Sequence, residues 1–260
     1  MKHFLQLPSS LRWCEDKYVY NDYIAEFWNS ITGISLCIVA IYLCCNEQKK
    51  VNFSLNASRI LLFIVGVGTI LFHSTLLYIW QLFDEIPMLL IVIEYHKLLS
   101  ITTRLFKFYN IIYMVIPIII SSYYINPKLQ VFLFQGTLTI YILYILYILS
   151  TINNLLDDFF YNTLPICNSV YDLQIEKQKI IDYMETKKLL KKYNRIGKLI
   201  LLFSLMIWNI DNHYCEYIKF YTGILELHAI WHITTSIGMY YCDQIMQLYI
   251  TIFKNLNHRN

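Results

Sequence analysis

Seven stretches of this chain are apolar over close to the length that a lipid bilayer demands, and no other feature of the sequence restricts the fold so strongly. They lie at about 22–45, 58–80, 84–103, 108–125, 129–150, 196–210 and 222–250. A spanning helix needs about 20 predominantly apolar residues, because its backbone amides must be satisfied within the segment itself. The sixth stretch is short, its clearest apolar part running from Leu199 to Ile210, and the third carries Glu94, His96 and Lys97 near its end. Only 15% of residues are charged, against roughly 25% in soluble domains. A soluble helical core protein is the alternative, and the run lengths argue against it. The net charge of +3 is too small to point to nucleic acid. The expectation is an all-α membrane protein, a seven-transmembrane helix bundle forming one domain over residues 1–260.

The opening residues MKHFLQLPSSLR lack the apolar core of a cleavable signal, so the first span is expected to be a permanent anchor. Most of the 21 Lys and Arg residues fall in the first, third and fifth connections and the C-terminal tail. Basic residues favour the cytosolic side, which places the N-terminus on the lumenal, extracytosolic side and the C-terminus in the cytosol. The one large polar insertion, about 151–195, reads as a solvated cytosolic helix; attraction to anionic lipid headgroups is the alternative. Its adjacent Asp157 and Asp158 carry no catalytic pattern.

Ionisable side chains at membrane depth are costly and usually face an internal cavity. In "GTILFHSTLLYIWQLFDEIPM" the second span carries His73 and the third opens on Asp84; in "ELHAIWHITTSIGMYY" the last span carries His228 and His232. Residues four apart share a helical face, so His228 and His232 are spaced for one metal ion or for packing. With the N-terminus lumenal, all three histidines and Asp84 fall in one leaflet. Three imidazoles leave the fourth position of a tetrahedral zinc open, the arrangement of catalytic sites. Asp84 is then suited to proton transfer. Thr69, one turn before His73, either donates to an oxyanion or to water or back-bonds to its own helix. Glu85 reads as a solvated interface residue. His96 reads as interfacial, and Trp208, Asn209 and Asp211 as anchors at the end of the sixth span.

Together, the stretches "WCEDKYVYNDYIAEFWNSITG", "FHSTLLYIWQLFDEIPM", "WNIDNHYC" and "LHAIWH" resemble the alkaline ceramidase family, seven-transmembrane zinc-dependent hydrolases related to adiponectin-receptor-like proteins. The resemblance implies a zinc amidase that cleaves the N-acyl bond of ceramide to a sphingoid base and a fatty acid. It implies zinc ligands at His73, His228 and His232, an acid/base residue at Asp84, and Thr69 where relatives commonly carry serine. It also implies a calcium site beside the first span through Trp13, Glu15 and Glu26. Here Arg12 and Lys17 occupy two further ligand positions. Calcium requires oxygen ligands, so Lys17 or Arg12 is expected to pair with Glu15 and Glu26 in its stead. A disulfide between Cys14 and Cys215, both on the lumenal side, is implied as well. Cys37, Cys44, Cys45 and Cys242 fall in spans as packing residues. The implied setting is an endoplasmic reticulum or Golgi membrane. A related seven-span lipid receptor or sensor, or an inactive family member, is the competing reading.

Overall fold

The computed structural model describes residues 6–11, 13–46, 52–100, 109–162, 170–222 and 226–257. Among these it is all-helical apart from one isolated β-bridge, Pro8 with Leu77. The helices are α1 (Phe27–Thr32), α2 (Ile34–Cys45), α3 (Phe53–Thr75), α4 (Tyr78–Ser100), α5 (Tyr109–Ile125), α6 (Pro127–Asn162), α7 (Val170–Thr222) and α8 (Leu227–Asn257). The stretches Phe27–Cys45, Phe53–Thr75 and Pro127–Ser150 are long and apolar enough to cross a membrane. Pro87 in α4 and Pro117 in α5 sit inside helices, a placement tolerated where neighbouring helices re-satisfy the freed carbonyls.

The sixth apolar stretch does not end at 210. It belongs to α7, which continues from Val170 to Thr222 as one helix of 53 residues. The polar insertion is helical at both ends: α6 carries on to Asn162, and α7 begins at Val170. Mixed charges at helical spacing extend a helix into water as readily as apolar residues extend it through lipid, so hydropathy alone cuts the element short.

Local chemistry sets the boundaries around the site. The Asn52 side chain accepts from the Ser54 amide and starts α3. At the other end Leu76 takes a left-handed conformation, φ 51°, and its amide bonds the Phe72 carbonyl. That tight turn delivers the chain directly into α4. The N-terminal segment crosses the turn as a strap: the Ser9 amide donates to the Leu76 carbonyl at 2.8 Å, and the Tyr78 amide to the Leu7 carbonyl at 2.9 Å. Tyr123 of α5 holds the strap from outside, donating its hydroxyl to the Pro8 carbonyl at 2.7 Å.

The largest apolar core joins α2, α3, α4, α6, α7 and α8, with Leu36, Leu55, Leu99, Ile148 and Met246 among its buried members. Within it, the Arg59 guanidinium grips Asp243 with two bonds of 2.8 and 3.0 Å. This fully buried pair ties α3 to α8, and such pairs are strongly destabilising to break on one side. A smaller cluster of Leu11, Trp13, Phe72 and Trp208 roofs the other end of the bundle. That end carries the histidines.

Candidate metal centre

His73 lies in the last turn of α3, while His228 and His232 occupy the first turns of α8. One ligand atom from each of the three lies within 4.8 Å of the others. All three side chains are buried. Sequence spacing paired His228 with His232 and membrane depth set His73 beside them; the packing of α3 against the start of α8 brings the three together.

Each ring is held by a different partner. His73 Nδ1 lies 2.5 Å from Glu26 Oε2, so the carboxylate accepts its proton. His232 Nδ1 lies 3.0 Å from the Thr32 hydroxyl. Thr32 already donates its single proton to the Trp28 carbonyl at 2.8 Å, so its oxygen acts as acceptor and Nδ1 carries the hydrogen. Both histidines are thereby fixed in the tautomer with a bare Nε2, and both Nε2 atoms are buried without a hydrogen-bond partner. Buried polar atoms left this way require an explanation, and a metal ion supplies one. Asp211 Oδ2 faces His228 Nδ1 at 3.8 Å, too far for a direct bond. The Trp13 indole stacks on the His228 ring with centroids 3.6 Å apart. Imidazoles backed by carboxylate or hydroxyl acceptors form the usual outer shell of a metal site; the residues present fit zinc.

Asp84 is buried in α4 and meets Thr69, whose hydroxyl lies 2.5 Å from Asp84 Oδ1 and 2.9 Å from the Val65 carbonyl. Of the two sequence expectations for Thr69, the back-bond to its own helix is present, and the hydroxyl also meets the acid, a contact the sequence reading did not include. The approach is close because residue 68 is glycine. A Cβ there would sit 2.5 Å from the Phe83 carbonyl carbon and 2.6 Å from the Asp84 amide nitrogen. Asp84 and His228 line one small cavity with Trp13, Phe72 and Trp231.

A second, larger cavity leads away from the cluster. Trp231, His232 and Trp208 line it near the histidines, while Leu36, Leu62 and Cys242 line it farther along α2, α3 and α8. From His232 to Cys242 is ten residues of α8, about 15 Å of helix, enough for a substantial part of a lipid chain.

Lys17 resolves the question posed by the altered N-terminal stretch. Its ammonium donates to the Trp13 carbonyl at 2.5 Å and the Glu15 carbonyl at 2.7 Å, and pairs with Glu26 Oε1 at 2.5 Å. Three donors thus meet three oxygens. The Glu15 carboxylate is engaged elsewhere: it accepts from the Trp28 and Asn29 amides at 2.7 and 2.9 Å and so caps α1. The expected pairing with Glu26 is present, whereas Glu15 contributes its backbone. Burial pushes the Glu15 carboxyl up, and the two amides draw it back. Arg12 lies outside the described residues. Cys14 is disulfide-bonded; the Cys215 side chain is outside the described ones.

Three sequence readings need correction. Glu85 is not a solvated interface residue: it is 3% exposed and accepts from Gln81 at 2.8 Å and Gln130 at 2.7 Å. Ser10 joins the same network through Gln81 and Gln130, linking the strap to α4 and α6. His96 is not interfacial, being 0% exposed and close to the Tyr144 ring. Asp211 does not end a helix; it is buried mid-α7 facing His228. Thr32 was missed altogether. An acid in an aromatic run, as in "WNIDNHYC", was the available signal for Asp211.

Fold and site together define a helical membrane protein with a buried cluster of three histidines able to hold a metal ion, an acid beside it and an apolar cavity leading from it. Comparison with known proteins gives the class its name: the chain belongs to the Ceramidase family, whose model matches residues 6–260. It is similar to alkaline ceramidase 3 of Mus musculus, 26% identical over 241 residues covering 89% of this chain and 80% of the relative. It is similar also to alkaline ceramidase YPC1 of Saccharomyces cerevisiae, 27% identical over 252 residues covering 91% and 75%. A shorter match, 34% identity over 91 residues, relates it to an alkaline ceramidase of Drosophila melanogaster.

Proposed function

We propose that this protein is an intramembrane zinc amidase that hydrolyses the N-acyl bond of ceramide to a sphingoid base and a free fatty acid. The observation that carries the reading is the convergence of the His73, His228 and His232 ligand atoms with Asp84 on the wall of an adjoining cavity, in a chain of the Ceramidase family. His73, His228 and His232 hold the ion, with Glu26 and Thr32 keeping two of the rings in the ligating tautomer. Zinc in such a site supplies Lewis acidity toward a carbonyl and toward water. Asp84 takes a proton from the attacking water and returns it to the amide nitrogen as the C–N bond breaks, so that water is divided between acid and amine products. Thr69 orients Asp84; its one proton already has two acceptors, which disfavours a role as oxyanion donor. The apolar cavity receives lipid chain, and the tryptophans close it against water.

Seven spans are read from α1–α2 together and α3 to α8, with the N-terminus lumenal, in an endoplasmic reticulum or Golgi membrane. The disulfide of Cys14 is assigned to Cys215, which would fasten the N-terminal segment over the site. Calcium is not required, because the Lys17 ammonium already neutralises Glu26 and gathers the carbonyls of Trp13 and Glu15. The test is fatty-acid release from a panel of ceramides by purified wild-type and Asp84→Asn protein. Turnover by the wild type, with kcat lower by about 10²- to 10⁴-fold in the variant at unchanged zinc content, is the expected result. Zinc-loaded wild-type protein that hydrolyses no ceramide would instead favour a lipid sensor or an inactive family member.

A further inference from the structure

Two of the three imidazoles have an acceptor at their edge, Glu26 for His73 and Thr32 for His232. His228 has stacking instead. Trp13 and Trp231 lie against its ring, with centroids 3.6 and 4.9 Å away and planes inclined by 20° and 26°. Indoles against a ring fix its plane, but they accept the ring and its half-turn equally well. A half-turn exchanges each nitrogen with a carbon, so it would take the ligating nitrogen out of the cluster. An acceptor at the ring's edge separates the two orientations, because the hydrogen bond made by one nitrogen decides the role of the other.

Asp211 of α7 is the carboxylate at that edge. Its Oδ2 faces His228 Nδ1 at 3.8 Å, and both atoms are buried without a hydrogen-bond partner among the described residues. Each atom left in that state costs desolvation energy. The gap is about 1 Å longer than a charge-assisted N–H···O bond, and too short for a water in line between the two. Charge points the same way. Lys17 already neutralises Glu26, whereas among the described residues neither Asp84 nor Asp211 is paired with a lysine or arginine. Buried carboxylates are retained where a compensating charge faces them, and a divalent ion on three neutral imidazoles is such a charge. Asp84 is committed to proton transfer, which leaves Asp211 as the standing counter-charge.

We propose that Asp211 is the positioning residue for His228: with an ion held at the histidines, its carboxylate closes on Nδ1, accepts the N–H bond and keeps Nε2 turned to the site. The inference rests on the metal-centre reading above and deepens it. A ring that ligates a cation through one nitrogen is a stronger donor at the other, and carboxylates that accept this bond raise metal retention. The carboxylate of α7 thereby supplies for the third ring what Glu26 and Thr32 supply for the other two.

The experiment measures zinc affinity of full-length wild-type, Asp211→Asn and Asp211→Ala protein by competition with a chelator. Thermal unfolding of the metal-free forms and visible spectra of the cobalt-substituted forms accompany it. Both variants are expected to bind zinc about 10- to 100-fold more weakly and to shift the cobalt bands. Their metal-free forms should unfold at or above the wild-type temperature, since a buried charge without a partner has been removed. A residue with a merely structural role would instead lower the unfolding temperature of the metal-free protein. Unchanged zinc affinity, unchanged cobalt bands, or weaker binding accompanied by that lower unfolding temperature would overturn the inference and leave the three-histidine site standing. Wild-type protein that binds no zinc would remove both.

Discussion

At the scale of single residues, the site is governed by how each imidazole is held. Glu26 stands between Lys17 and His73, 2.5 Å from each. Glu26→Gln can no longer accept from His73 with a charged oxygen, and the fixed tautomer loosens. Changes of this kind typically lower metal affinity 10- to 100-fold, so competition with a chelator should strip zinc from this variant well before the wild type. Lys17 gives a second expectation. Its ammonium fills the space between three oxygens, so added calcium or a calcium chelator should leave ceramide turnover unchanged; activation by calcium would contradict this placement. The three histidines and Asp84 were legible in the sequence because an ionisable group in an apolar run stands out and because spacing assigns it to a face. Glu85, His96 and Asp211 were misjudged by the same rule: near the end of an apolar run, sequence cannot separate a residue turned to water from one turned inward. Thr32 gave no signal, since hydroxyls are common near the start of helices.

The element that sets the site's dimensions is the α3–α4 pair. Gly68 lets the backbone of α4 approach α3 at Phe83 and Asp84, and this contact places the acid within reach of Thr69. Gly68→Ala should force the helices apart, cost about 1–3 kcal/mol of stability and depress turnover through misplacement of Asp84. Gly136 of α6 is the matched control, because a Cβ there meets nothing within 4 Å. Gly136→Ala should leave turnover intact and raise thermal stability by up to about 1 kcal/mol through helix propensity. A shared loss in both variants would mean that α3–α4 contact is not what sets the acid. Helix existence was legible from apolar run length, and helix extent was not. Sequence placed a boundary near 210 because hydrophobicity fades there, yet α7 runs on to Thr222; backbone hydrogen bonding continues wherever side chains permit it, in lipid or in water.

For the molecule as a whole, a single arrangement joins strap, bundle and cluster. The N-terminal segment crosses the α3–α4 turn, stacks Trp13 on His228 and reaches His73 through Lys17 and Glu26. The buried Arg59–Asp243 pair fastens the same two helices, α3 and α8, farther along the bundle. The histidine cluster thus depends on elements from both ends of the chain, which explains why hydropathy predicted the bundle while packing had to reveal the contacts around the histidines. The most direct measurement is zinc stoichiometry together with fatty-acid release, made on one preparation each of wild-type and His232→Ala protein. Near-stoichiometric zinc and ceramide hydrolysis in the wild type, both lost in the variant while the protein remains folded, is the predicted result. Ceramide hydrolysis that persists in zinc-free protein, or that survives His232→Ala undiminished, would contradict a catalytic zinc held by these three histidines.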